Sequence, residues 1–354
     1  MTMAKTEALP MAVIRLRFAM NYQKITPSLK VLGLFFFTIL TFVSLQADTI
    51  RTQTIALHKG WNSIYLEVTP TNPSPALVFS NTPVSIAAVY FGGDSPVQFI
   101  QNPGSISWKK DGWAVWYAPS RPDGFLTTLF TLNGNRAYLI FSEQDFTWSI
   151  SGNVSLGSVK WKPNSYNLAG FGVDATAPPT FGKFFAGSPV HQPGQIYRLV
   201  NNQWALIASP STTTMRSGEA CWIYCKGASD YQGPLTVKLA TADSVSFGSS
   251  AESPISLENC TADPLTVKVE TVANDGGIPL GYVVRGITEG KMVDATFDLP
   301  VQYTPPALEA GQTSWLWLKL RREKMSTAAQ GALLKISTDS GAEVWVPVTG
   351  TLTP

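Results

Sequence analysis

The chain has 354 residues, of which only 14% are charged and 11% aromatic, with 26 Lys and Arg against 24 Asp and Glu. No cluster of Lys and Arg is present to neutralise phosphates, which excludes nucleic acid as a partner. With two His and no Gly-x-Ser-x-Gly, His-Glu-x-x-His, Walker or dinucleotide-binding glycine pattern, the commonest catalytic constellations are excluded as well.

The first predicted element is a leader. Residues 31 to 45 run without a charge, preceded by Lys5, Arg15, Arg17, Lys24 and Lys30 and followed by Gln46-Ala47-Asp48. This is the layout of a secretory signal, and fifteen apolar residues fall short of the roughly 20 a spanning helix needs. Cleavage after Ala47 removes residues 1–47 and leaves 21 basic and 23 acidic residues, a net charge of −2. The basic balance therefore belongs to the leader. The mature chain is expected to be secreted or at the cell surface, the periplasm included, touching a membrane only through an uncleaved leader.

About 307 residues remain, more than one core usually accommodates. Glycine and proline are spread evenly, as suits short strands joined by tight turns. The next two units say the same thing twice. Gly60-Trp61-Asn62 and the later Ala137-Tyr138-Leu139-Ile140-Phe141 are echoed by Ser165-Tyr166-Asn167 and Ala220-Cys221-Trp222-Ile223-Tyr224. Trp148 and Tyr231 each follow the closing strand. Thr180 is a fair N-cap, and Phe181, Phe184 and Phe185 at i, i+3, i+4 predict a short helix with one apolar face. Its counterpart begins at Pro75 and runs through Leu77-Val78-Phe79. The boundaries are 48–158 for the first copy, lengthened by an insertion around Pro96 to Pro122, and 159–242 for the second.

The third unit, 243–354, alternates cleanly. Leu265, Val267 and Val269 point one way and Thr266, Lys268 and Glu270 the other; the same period recurs in Trp315–Leu320, Ala332–Ser337 and Val344–Val348. Asp339-Ser340-Gly341 reads as a hairpin turn in which Gly341 takes a positive φ. The fold class expected is mainly β: two tandem small β-rich modules, each with a short helix, followed by an immunoglobulin-like β-sandwich.

Leu57-His58-Lys59-Gly60-Trp61-Asn62, answered downstream by Arg136-Ala137-Tyr138, resembles the Gly-Trp-Asn … Gly-Tyr-Trp modules of secreted and cell-surface bacterial proteins. The residues that match are Trp61 and Asn62 in the first copy and Tyr166, Asn167, Gly218, Trp222 and Ile223 in the second. The first copy has Asn135-Arg136 where glycine is usual, and the second opens with Tyr in place of Trp. The resemblance implies an accessory surface module and no enzyme. The last unit is similar in architecture to immunoglobulin-like domains of bacterial extracellular proteins, without the Cys…Trp…Cys signature.

The candidate ligand site is the aromatic run Trp108, Trp113, Trp116 and Tyr117, since exposed indole and phenol faces stack on sugars and anchor interfaces. On a strand, Trp113 and Tyr117 share one face and Trp116 takes the other, so all three can be core only if the sheet is covered twice. Trp315 and Trp317 pose the same question. A carboxylate glycosidase would draw on Asp94, Asp111, Asp123, Glu143 and Asp145, most of which read as turn residues. Cys221 and Cys225 on one strand lie about 13 Å apart, too far to pair. They are read as buried free thiols, with a bond from one of them to Cys260 as the alternative. No metal or cofactor is expected. The leading expectation is an exported, non-catalytic structural or interaction protein whose partner is a protein or a polysaccharide at the cell surface. A carbohydrate-binding protein using the aromatic platform is the alternative, and a glycoside hydrolase comes third.

Overall fold

The computed structural model describes residues 49–91, 112–192, 194–241, 243–272, 277–288 and 291–353. The leader, Asp94, Trp108 and Asp111 lie outside them. The described part of the chain is mainly β, with 50% of the described residues in strands and 6% in helices.

The first module comprises β1 (Ile50–Leu57), β2 (Gly60–Leu66), β3 (Thr69–Pro70), α1 (Pro75–Val78), β4 (Val84–Tyr90), β5 (Trp113–Tyr117), β6 (Arg136–Ser142) and β7 (Phe146–Asn153). The second comprises β8 (Ser165–Gly170), α2 (Phe181–Phe184), β9 (Ile196–Val200), β10 (Gln203–Leu206), β11 (Ala220–Cys225) and β12 (Leu235–Leu239). Their main sheets have one topology. The spatial order is β2-β6-β4-β5 in the first and β8-β11-β9-β10 in the second, which is first, last, second, third strand in both.

Local chemistry explains the shared phrases. Asn62 Oδ1 accepts the His58 N–H at 2.8 Å, while its Nδ2 donates to the carbonyls of His58 (2.7 Å) and Gly60 (3.0 Å). Asn167 repeats this with Lys162 N–H (2.8 Å) and the carbonyls of Lys162 (3.2 Å) and Ser165 (3.0 Å). The amide thus clips the loop before each first strand, giving buried backbone groups the partners they require. The helices also correspond. Pro75 starts α1 where a missing N–H costs nothing, and Thr180 caps α2 by accepting Lys183 N–H at 3.1 Å. Phe79 and Phe185 occupy the C-cap of each; Phe79 packs on Trp148 at 5.2 Å and Phe185 on Tyr231 at 5.9 Å.

The last strands part company. β7 pairs with β1 inside the first module, whereas β12 pairs with the sandwich, Val237 facing Leu257. The sandwich comprises β13 (Val245–Phe247), β14 (Glu252–Asn259), β15 (Val267–Val272), β16 (Leu280–Thr288), β17 (Lys291–Asp298), β18 (Gln302–Tyr303), β19 (Thr313–Leu320), β20 (Ala329–Thr338) and β21 (Glu343–Thr351). Two five-stranded sheets, β12-β14-β19-β16-β17 and β13-β21-β20-β15-β18, enclose a core of Ile255, Leu265, Val267, Val269, Leu318, Leu334, Ile336 and Val346. The sequence division at 242/243 falls between β12 and β13, which belong to the two different sheets of this sandwich. The turn at Gly341 forms with φ of +85°, and a Cβ there would stand 2.5 Å from the Ala177 carbonyl oxygen.

Alternation fails at Ala332-Leu333-Leu334, where all three side chains are buried. The reason lies outside the sandwich: Leu333, Val272 and Trp345 pack against the core of the first module. A sheet covered on both faces has no reason to alternate.

Candidate functional site

The described part of the proposed aromatic platform is not a surface. Trp113, Trp116 and Tyr117 are 8%, 5% and 5% exposed, so none offers a ring face to a ligand. The strand rule placing Trp116 opposite Trp113 and Tyr117 holds, and the sheet is indeed covered twice. Trp116 enters the core of its own module with Phe79, Tyr138 and Trp148. Trp113 and Tyr117 enter a second core shared with the other module, with Leu139, Trp204 and Trp222. Tyr90 bridges them, 5.1 Å from Trp113 and 5.3 Å from Trp222. These aromatics bury large areas where two sheets meet, which is why the run is so rich in Trp.

The described acidic candidates are also dispersed by their partners. Asp123 pairs with Arg121 two residues away at 2.9 Å, Asp145 accepts the Lys59 N–H at 2.7 Å, and Glu143 accepts the Ser85 hydroxyl at 2.5 Å. Each is held at its own turn or strand end. Among the described residues no three His, Cys, Asp or Glu groups gather to hold a metal ion, and no helix is long and apolar enough to cross a membrane. Cys221, Cys225 and Cys260 are free thiols, and burial pushes the Cys221 thiol far up.

Where all three units meet, the fold builds a cleft of about 420 Å³ lined by Arg51, Tyr65, Glu67, Leu156, Glu343 and Trp345, among others. Arg51 on β1 ion-pairs with Glu67, which follows β2, and lies over the Trp345 ring of β21 at 4.3 Å. Gln53 is buried beside them, accepting Glu67 N–H at 2.9 Å and donating to the Tyr65 carbonyl at 2.9 Å. Lys335 pairs with Glu343 at 2.5 Å, and its Nζ lies 5.8 Å from the centre of the same Trp345 ring. Burial pushes the Glu67 carboxyl above the usual carboxylate range, with Arg51 pulling it down and Glu343 adding to the rise. Burial likewise drives the Tyr65 hydroxyl far up, reinforced by Glu67.

The paired charges and the guanidinium–indole contact hold neighbouring strands and units together, as a latch does. Backbone bonds reinforce it: Tyr65 N–H donates to Gly218 O at 2.8 Å, Leu156 N–H to Asp243 O at 2.8 Å, and Glu343 N–H to Gly172 O at 3.0 Å. Sequence reasoning missed Arg51, Glu67, Glu343 and Trp345 because chain separation hides the partners. The one local signal was Glu67, an acid between Leu66 and Val68 immediately after an apolar strand.

No family model and no curated protein matches the chain. Among solved structures, it is similar to the ASH/PapD-like domain of human CEP192 at 16% identity, over 33% of this chain and 84% of that one, with a TM-score of 0.22. It is also similar to the full-length major pilin SpaD of Corynebacterium diphtheriae at 7% identity, over 83% of this chain and 66% of that one, with a TM-score of 0.17.

Proposed function

We propose that this chain is an exported, non-catalytic structural and interaction protein of the cell surface or extracellular space, built from two Gly-Trp-Asn-type modules and an immunoglobulin-like sandwich, in a bacterial host. The observation that carries this reading is the way the three units are joined. Trp113 and Tyr117 of the first module share one core with Trp204 and Trp222 of the second, and Arg51, paired with Glu67 inside the first module, lies over Trp345 of the sandwich. Interfaces with side chains packed to core density hold a fixed shape, which serves presentation of a surface. The leader supports export, and the separate engagement of Asp123, Glu143 and Asp145 supports the absence of a two-carboxylate centre.

The test is fractionation of the native host with N-terminal sequencing of the recovered protein. A mature chain starting at Asp48 outside the cytoplasmic membrane is the expected result. An unprocessed cytoplasmic protein, or purified protein that depolymerises a polysaccharide, would overturn the reading.

A further inference from the structure

The sandwich turns one sheet against the first module and leaves the other outward. Along β19 the alternation that sends Leu316, Leu318 and Leu320 into the core sends Trp315, Trp317 and Lys319 to the opposite face. Trp315 is 57% exposed in the middle of a paired strand, at a position where a polar residue would serve the fold as well. Its surroundings are ordered by the strand register. Ser256 lies directly across from Trp315, and Lys238 across from Ser256. Glu258 lies opposite Thr313 and accepts from Lys238 at 2.9 Å. Lys238, Pro254, Ser256, Glu258, Thr313 and Trp315 thereby line an open cleft of about 480 Å³.

Trp317 stands beside this cleft with its ring centroid 6.5 Å from that of Trp315. Its face is taken by the Arg285 guanidinium at 3.7 Å. Arg285 and Lys319 together hold Glu252, at 2.9 and 3.1 Å, and Arg285 also reaches Asp294 at 3.6 Å. Trp315 therefore offers an indole that its neighbour does not.

Charge narrows the ligand. Lys238, Arg285 and Lys319 are balanced by Glu252, Glu258 and Asp294, so the face has no sign with which to attract an ionic partner. A protein interface ordinarily covers roughly 800 Å² a side around a charge-depleted apolar centre. Here the apolar centre is about one indole wide and ringed by ion pairs. A sugar ring has the matching chemistry: an apolar C–H face that covers an indole, and hydroxyls at its rim that both donate and accept.

We infer that the outward face of the sandwich binds a neutral polysaccharide, one sugar ring stacked on Trp315 with its hydroxyls bonded to the Lys238–Glu258 pair. This goes beyond the structural reading and does not depend on it. The test is native electrophoresis of the mature chain through gels containing hydroxyethylcellulose, xylan, mannan or soluble starch. Retardation in at least one of the four gels is expected, with affinity falling at least tenfold in Trp315→Ala and recovering in part in Trp315→Phe. Circular dichroism should show both variants folded, because the side chain is exposed. Unhindered migration in all four gels, or retardation that Trp315→Ala leaves unchanged, would overturn the inference. Either negative outcome leaves the proposed function standing, since export and the lack of polysaccharide cleavage are measured separately.

Discussion

The Arg51 guanidinium lies 4.3 Å from the centre of the Trp345 ring while pairing with Glu67, so one side chain ties the first strand of the chain to its last. Removing Arg51 would leave the buried Glu67 carboxyl without its charged partner. Arg51→Ala is expected to cost about 3–5 kcal/mol, the usual penalty for stranding one member of a buried pair. Arg51→Met combined with Glu67→Gln should restore most of that loss, since neither charge then needs a partner. Urea unfolding of the single and double variants is the check, and purely additive losses would show the pair to be uncoupled.

The Asn clips make a paired prediction. Asn62→Ala and Asn167→Ala each strip three hydrogen bonds from the loop that the amide clips. Each should lower stability by about 1–3 kcal/mol. Substitution by Asp keeps the acceptor and loses both donations, so it should fall short of rescue. Denaturant midpoints decide this, and a neutral Asn62→Ala would refute the clip.

Trp116 and Trp315 should respond in opposite ways. Trp116→Ala opens a hole beside Phe79, whose ring is 5.2 Å away, and is expected to cost about 3–5 kcal/mol. Trp315→Ala should stay within about 0.5 kcal/mol of the parent. Thermal melts of the two variants test whether burial has been assigned to the right tryptophan.

His191 gives the protein a dependence on acid. Its ring is buried against Trp161, with centroids 4.2 Å apart, and burial holds its pKa down to about 4 from 6.5. Between those values the unfolded chain binds a proton that the fold refuses. The contribution is therefore intact above about pH 6.5 and is lost as pH falls toward 4. Burial raises Glu67 and Glu219, which slopes the other way, so the difference between parent and His191→Gln isolates the imidazole. Stability measured from pH 7 to pH 4 should fall less steeply in His191→Gln; parallel curves would exclude His191 as the cause.

Much of the construction was legible in local sequence. The duplicated phrases, the Thr180 cap, the Phe181, Phe184, Phe185 face and the turn at Gly341 depend on residues a few positions apart, and the forces that act over that range act in the unfolded chain too. The alternation at Leu265, Val267 and Val269 fixed which face of the sheet turned inward, because a period of two allows only one assignment. What alternation cannot tell is what covers the other face. Trp113 and Tyr117 became core because the second module lies over their sheet, and Leu333 because the first module lies over the sandwich. Trp315 has the same pattern and stays 57% exposed. Only the packing of distant units decided between those fates, since burial of an outward side chain depends on a surface supplied from elsewhere in the chain.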